Sequence, residues 1–556
     1  MTQELTTIEQ IYDQIGGLSW FHLIIILLTE FSKLMLGWSM MIMSYAGFIN
    51  DFECIIPTNG TLYNGQDQAP NSTALNVCSV SGTACEDFRF LGSKRTVISE
   101  WHLVCDLRWM KAAIISVQMG GVLVGNTLGG LSGDFFGRRN TLYVAMVLHT
   151  FISLIGAYSA SWQMFAVTRF FAGLLIGVML MMDITLLAEL LPMRWRHLGP
   201  VIPAWPLGVM VFAGVAAVLE DWAQLHIACA VLSALFCLGY FYVPESPRWL
   251  ATQGRLGESH AVLEKIASMN NRSLPESAMD VIQHIANEEK TRYKGKKYTY
   301  KDLFINRATT KLTVIFSLEW MVMSIIFYGL NFGVSSFVGN LYLNIFLMNV
   351  IQLPASLATF AVIDRFGRRL SSIIFMVLAT VASFGCVAAY LAAPESVRGE
   401  VTSALCLTAL LLVSASWCTA TVWVTDSYPT VIRSLGFGFA SMSARAGAIL
   451  APFIINLDQF PLFTYILMGV MSLVCVVAIS FLTETSDKVM AETVFNVQAD
   501  SIHSNTAPAL NSNSLGENQD VKLMSEENIR KSPADPPINR NSNGIDKDNV
   551  PPVAFV

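Results

Sequence analysis

Apolar runs of about twenty residues recur along almost the whole chain, each closed by a short polar stretch. A helix needs about 20 mostly apolar residues to cross the roughly 30 Å hydrocarbon core of a bilayer. By that measure the pattern predicts twelve spans, at 19–49, 109–131, 140–160, 163–190, 198–219, 225–243, 312–334, 341–363, 370–393, 401–425, 434–457 and 461–482. Two longer polar stretches interrupt them, 50–108 after span 1 and 244–311 after span 6. From 484 onward the chain is rich in Asn, Ser, Pro and Asp, which predicts a disordered tail. The expected architecture is an all-α membrane protein of two six-helix halves, 1–243 and 312–483. The first half carries a large loop at 50–108, a polar loop at 244–311 joins the halves, and a tail follows at 484–556.

Composition narrows the class. Of 556 residues, 53% are hydrophobic and 14% charged, against about 25% charge in an ordinary soluble domain. That deficit, with 35 basic and 41 acidic residues, argues against a soluble enzyme and against a nucleic-acid partner. No phosphate-binding loop and no clustered His/Cys set is written in the chain, so neither catalysis, a metal nor another cofactor is expected. The first residues carry Glu4, Glu9 and Asp13 and no basic residue, unlike a secretory signal, so span 1 is expected to be retained.

Basic residues in short loops set orientation. Arg138 and Arg139 follow span 2, Arg194 and Arg196 follow span 4, and Arg365, Arg368 and Arg369 follow span 8. Segments 159–162, 219–224 and 334–340 contain no Lys or Arg. The arginine loops and both termini are therefore expected in the cytoplasm, and 50–108 outside the cell. That segment holds two glycosylation acceptors, Asn59 and Asn71. It also holds Cys54, Cys78, Cys85 and Cys105, enough for two disulfides in an oxidising space, with three pairings open. The other six cysteines lie in apolar runs and read as small hydrophobes. The run Lys294, Lys296, Lys297, Lys301 reads as a solvated basic face, and Ala554-Phe555-Val556 as a weak PDZ ligand.

The two halves repeat one another. Asp134-Phe-Phe-Gly137-Arg138-Arg139 after span 2 matches Asp364-Arg-Phe-Gly367-Arg368-Arg369 after span 8. Glu189-Leu-Leu-Pro192, with Arg196 and Gly199, closes span 4, as Asp426-Ser-Tyr-Pro429, with Arg433 and Gly436, closes span 10. Glu245 follows span 6 and Glu484 follows span 12. The offsets (138 to 368, 189 to 426, 245 to 484) are nearly constant, which chance does not produce three times. Parallel six-plus-six repeats point to a carrier whose halves rock about a midplane site. The repeated acids and arginines are expected to pair across the halves and hold an inner gate shut. A plainer reading is that the arginines only set topology.

These residues resemble the major facilitator superfamily and, within it, the organic cation, anion and zwitterion transporters of solute carrier family 22. The resemblance covers about 10–485. It rests on Asp13-Gln-Ile-Gly16-Gly17, the cysteine-bearing first loop, Glu100-Trp-His-Leu-Val-Cys105, Pro244-Glu-Ser-Pro-Arg-Trp-Leu250, Gly339-Asn-Leu-Tyr-Leu343 and Tyr428-Pro-Thr-Val-Ile-Arg433. Pro-Glu-Ser-Pro-Arg is shared with sugar porters, from which the long first loop separates this chain. The chain departs from the family pattern at Gly133-Asp134-Phe135, where Asp-Arg usually precedes the Phe. It departs again at Asp426, where Glu is usual and reaches further. The resemblance implies a multi-pass plasma-membrane carrier that moves small organic ions by alternating access.

Charges inside a bilayer are costly and functional by default. Arg445 sits mid-span 11 among small residues, where a guanidinium can hold a carboxylate bidentately. Anion and carnitine-type carriers of the resembled family look similar here, whereas cation carriers tend to have Asp. The alternative role for Arg445 is a structural ion pair. Asp183 in span 4 is a cation-site candidate, Glu30 and Lys33 form a local pair in span 1, and Glu319 is expected near the membrane interface. Trp320, Phe327 and Tyr328 in span 7 match an aromatic substrate wall of that family, and Trp205 in span 5 matches another of its aromatic positions. Pro203 and Pro206 flank Trp205 and are expected to break or kink span 5. Core packing accounts equally well for any single aromatic. The expected function is transport of a zwitterion or carboxylate-bearing organic ion. An organic cation carrier is the second reading, a non-transporting sensor or scaffold the third, and coupling to an ion stays open.

Overall fold

The structure, a computed structural model, describes residues 7–55, 76–80, 83–85, 87–192, 202–292, 299–428, 432–457 and 459–485. Asn59, Asn71, Arg196, Lys294, Lys296, Lys297 and the C-terminal tripeptide lie outside the described residues, as does the side chain of Asp364. Ten helices among the described residues are long and apolar enough to cross a membrane. They are Trp20–Ala46 (span 1), Cys105–Phe136 (2), Arg138–Ala157 (3), Trp162–Leu190 (4), Trp222–Phe241 (6), Arg307–Phe332 (7), Arg368–Ala392 (9), Glu395–Ser427 (10), Arg433–Ile454 (11) and Pro461–Ser480 (12). Shorter apolar helices stand where spans 5 and 8 are expected.

Both short spans are explained by proline. Span 5 is the helix Ala204–Leu219, with Pro203 in the capping position and Pro206 in the first turn. First-turn N–H groups have no partner inside the helix, so a proline there costs little. The two prolines stand where this helix begins and leave Ala204–Leu219 continuous, while residues 198–201 of the expected span lie outside the described residues. Span 8 is divided into Leu341–Val350 and Gln352–Phe366. The ring of Pro354 would meet the carbonyl of the residue four earlier, Val350, and the first helix ends there.

Spans 2 and 3 are separated by one residue, Gly137 at φ +95°, and spans 8 and 9 by Gly367 at φ +79°. Both angles lie in the left-handed region that glycine enters without cost. Spans 2 and 4 pack backbone to backbone, because a methyl group at Gly121 or Gly125 would overlap the main chain at Phe170 or Leu174.

The segment 244–311, expected as a polar loop, instead contains the helices Pro247–Thr252, Leu256–Met269 and Ala278–Arg292. The N-terminal helix Ile8–Gln14 joins this layer, burying Ile8, Ile11 and Tyr12, and Asn270 Nδ2 donates to Ile15 O at 2.8 Å just beyond it. At the other end of the bundle, Phe52–Ile55 pairs antiparallel with Asp87–Phe90, and Ser79–Val80 with Thr83–Ala84. Disulfides join Cys54 to Cys85 and Cys78 to Cys105, one of the three open pairings. Arg95 donates to Glu100 at 2.7 and 2.9 Å and to Asp221 at 3.2 Å, tying this loop to the turn between spans 5 and 6. The Arg95 hydrogen bonds hold the Glu100 carboxyl below its ordinary value of 4.5, against a smaller upward effect of burial.

Candidate functional site

The interface between the halves is closed at the end bearing the disulfides. There Ser44 Oγ donates to Asn331 O (3.1 Å), Lys111 Nζ to Ser335 Oγ (3.2 Å) and Ser116 Oγ to Ile449 O (2.6 Å). Tyr342 Oη of span 8 donates to Glu220 Oε1 after span 5 at 2.9 Å, and its ring stacks on Tyr45 of span 1 at 6.1 Å. Lys94 of the loop lies 5.3 Å from the centre of the Tyr342 ring. At the arginine-bearing end, Arg138 and Arg139 bond to residues of the first half, and Arg368 and Arg369 bond to residues of the second.

Arg445 sits midway between those ends, half-buried in span 11. Its Nη1 donates to Tyr328 Oη of span 7 at 3.0 Å. With the Asn126 amide turned so that its nitrogen donates to Gly177 O (2.8 Å), its oxygen accepts from Arg445 Nε at 3.2 Å. One guanidinium therefore touches both halves. Tyr328 meets Phe327 edge-on at 5.2 Å and stacks on Phe332 at 6.1 Å. Trp417 of span 10 joins Phe327 (6.0 Å) to Trp320 (5.7 Å), and Phe437 of span 11 closes on Trp320 at 5.4 Å. The result is a band of aromatic rings ending at a guanidinium, a surface suited to an organic ion with an anionic head and a bulky or cationic body.

The structure thus brings together Arg445, Trp320, Phe327 and Tyr328. Among the described residues, the contacts of Asp183 and Trp205 lie with span 1. Asp183 is buried inside the first half, accepting from Ser32 Oγ at 2.8 Å, beside the Lys33–Glu30 pair at 2.6 Å. Trp205 packs beside Gly37 of span 1, and Trp423 is a core residue edge-on to Phe316. Glu319, expected near the interface, is fully buried in the second half and accepts from Ser372 Oγ at 2.7 Å. Asn126, Trp417 and Phe437 are the members that sequence reasoning missed. Asn126 carries no charge and so escapes a search for charged residues in the spans, and the two aromatics stand among many.

At the arginine-bearing end the repeat becomes three-dimensional. The backbone N–H groups of Arg138 and Arg139 donate to Glu245 at 3.0 and 3.1 Å, and those of Arg368 and Arg369 to Glu484 at 3.0 Å each. Arg138 Nε donates to Glu189 at 3.2 Å, and Arg368 Nε to Asp426 at 3.2 Å. Arg139 reaches Tyr240 O at 2.9 Å, and Arg369 reaches Ser480 O at 2.6 Å. Arg138 also pairs with Asp134 at 3.0 Å. Arg433 opens span 11. Among the described residues, these bonds form one clamp inside each half.

Residues 25–493 match the family described as Sugar (and other) transporter. Solute carrier family 22 member 7 of Sus scrofa is 30% identical over 407 residues, covering 72% of each chain. Organic cation/carnitine transporter 2 of Homo sapiens is 26% identical over 412 residues, 72% of this chain and 71% of that one. The inward open conformation of the E. coli xylose transporter XylE superimposes with TM-score 0.61 at 18% identity, over 86% of this chain and 99% of the other. The chain belongs to the Sugar (and other) transporter family and, within it, to solute carrier family 22.

Proposed function

We propose that this carrier moves a zwitterion or a carboxylate-bearing organic ion across the plasma membrane, with the disulfide-bearing loop outside the cell. The observation that carries the reading is Arg445, half-buried at mid-membrane, bonded to Tyr328 of its own half and in reach of Asn126 of the other. A carboxylate docking there would replace the Tyr328 and Asn126 contacts with two charge-assisted hydrogen bonds and leave the substrate's body on Phe327, Trp417 and Trp320. Such a ligand couples the halves, which is what alternating access asks of a substrate. The name of the human relative, organic cation/carnitine transporter 2, includes carnitine, which suits this reading. The organic cation reading draws less support, since Asp183 is hydrogen-bonded to Ser32 away from the aromatic band.

The arginine clamps are the inner gate in this reading, dissolving and re-forming as the halves rock. Uptake of labelled carnitine, tetraethylammonium and an aromatic carboxylate, with and without Na⁺, tests the substrate class. Arg445→Ala is expected to remove carboxylate uptake by about tenfold or more while surface expression persists, the loss of at least one charge-assisted bond. Unchanged uptake would remove Arg445 from the site.

A further inference from the structure

A second guanidinium lies in the membrane with no acid to balance it. Arg169, seven residues into span 4, is fully buried. Among the described residues no Asp or Glu pairs with it. Its Nη1 donates to Ser39 O at 3.3 Å, and the Phe165 ring lies 5.4 Å from its Cζ. Its Nε and Nη2 are buried with no hydrogen-bond partner. One carbonyl dipole and one ring face do not balance a full charge in hydrocarbon.

The surroundings are polar and unsatisfied too. Ser39 O also accepts from Gln118 Nε2 at 3.1 Å, and Ser39 Oγ bonds His149 Nε2 at 2.8 Å. A methyl group on Gly156 would stand 3.7 Å from Arg169 Nη2 and 3.4 Å from His226 Cδ2, which puts both groups at one spot. His149 Nδ1, Ser153 Oγ, Gln118 Oε1 and His226 Nε2 are all buried and unpartnered. Trp222 O, 2.8 Å from His226 Nδ1, fixes that ring's proton on Nδ1, so His226 is no donor here. Arg169, Ser153 and His149, with its proton on Nδ1, are.

We propose that this cluster binds one monovalent inorganic anion of chloride size, held by Nε and Nη2 of Arg169 with the Ser153 hydroxyl and His149 Nδ1–H. The anion supplies the negative charge that no acid brings to Arg169 among the described residues; Glu30 and Asp183 of spans 1 and 4 are bonded to Lys33 and Ser32 instead. It is separate from Arg445, whose guanidinium is half-buried and already bonded to Tyr328. The buried Cys229 thiol lies close enough to Arg169 to feel its charge, so its replacement tests whether the thiol takes part.

The test uses the purified full-length protein at constant potassium and ionic strength. Its unfolding midpoint is followed by tryptophan fluorescence in chloride, bromide or gluconate. Chloride and bromide are expected to raise the midpoint by several degrees over gluconate, saturably. Arg169→Met should abolish that dependence, while Arg445→Ala and Cys229→Ser keep it. Bromide-soaked crystals should show an anomalous peak within hydrogen-bond reach of Arg169 Nε or Nη2. Equal midpoints in all three anions, a dependence that survives Arg169→Met, one that is lost in Cys229→Ser, or a bromide peak only at Arg445 would each overturn the assignment. Should Arg169→Met not fold, the wild-type anion series and the bromide peak decide the matter. None of these readings depends on which organic ion is carried.

Discussion

Glu245 and Glu484 each sit on the first two N–H groups of a helix, a place usually filled by the side chain of the capping residue itself. Here the cap comes from the far end of the half, because Gly137 and Gly367 bring no side chain of their own. A methyl group at Gly367 would stand 2.8 Å from the Glu484 carboxylate, on a backbone at φ +79°. Gly367→Ala is therefore expected to cost about 1–3 kcal/mol, read as a lower unfolding midpoint together with reduced uptake. At the outer loop the Arg95–Glu100 pair gives a pH dependence of known sign. The folded carboxyl titrates below 4.5, so its stabilisation is complete above that value and is lost as pH falls through the depressed one. The midpoint difference between wild type and Glu100→Gln should hold constant from about pH 8 to 5 and shrink at lower pH; a difference that grew on acidification would contradict the pairing. Arg445 was legible in the sequence because a charge in mid-span has no polar neighbour to excuse it. Arg169 was not, because seven residues from a span's start looks like the headgroup region until the bundle encloses it.

Among the elements, the long spans follow from hydrophobic length alone, and ten of them stand within a few residues of the positions read from the chain. The shorter pair did not follow, since proline acts through its position in the helix and the hydropathy pattern does not record that position. Pro206, in a first turn, should tolerate Pro206→Ala with a change under about 1 kcal/mol in stability. A large loss of folded protein in that variant would show that the ring itself packs a cavity. The helices of 244–292 were illegible for another reason. Leu256–Met269 buries only Ser259, Leu263, Ile266 and Ala267, and its apolar residues are interspersed with charged ones, so no apolar run of span length marks it. The disulfide pairing was undetermined by spacing and follows from the strand register that sets Cys54 opposite Phe88.

For the whole molecule, the bonds described between the halves include Ser44, Lys111, Ser116 and Tyr342 at the end bearing the disulfides. Tyr342 and Glu220 link spans 8 and 5 there. Tyr342→Phe removes one hydrogen bond to a charged group, worth about 1.5–3 kcal/mol, and should move the population toward the opposite state by roughly tenfold or more. Faster labelling of Asn331→Cys by a membrane-impermeant maleimide in that background would register the shift; an unchanged rate would mean that Ser44, Lys111 and Ser116 close this end without it. Each half finishes its own clamp with its own glutamate, Glu245 in the first and Glu484 in the second. Two separately encoded fragments, divided between Arg292 and Thr299 and made in one cell, are then expected to mature apart and meet as a working carrier.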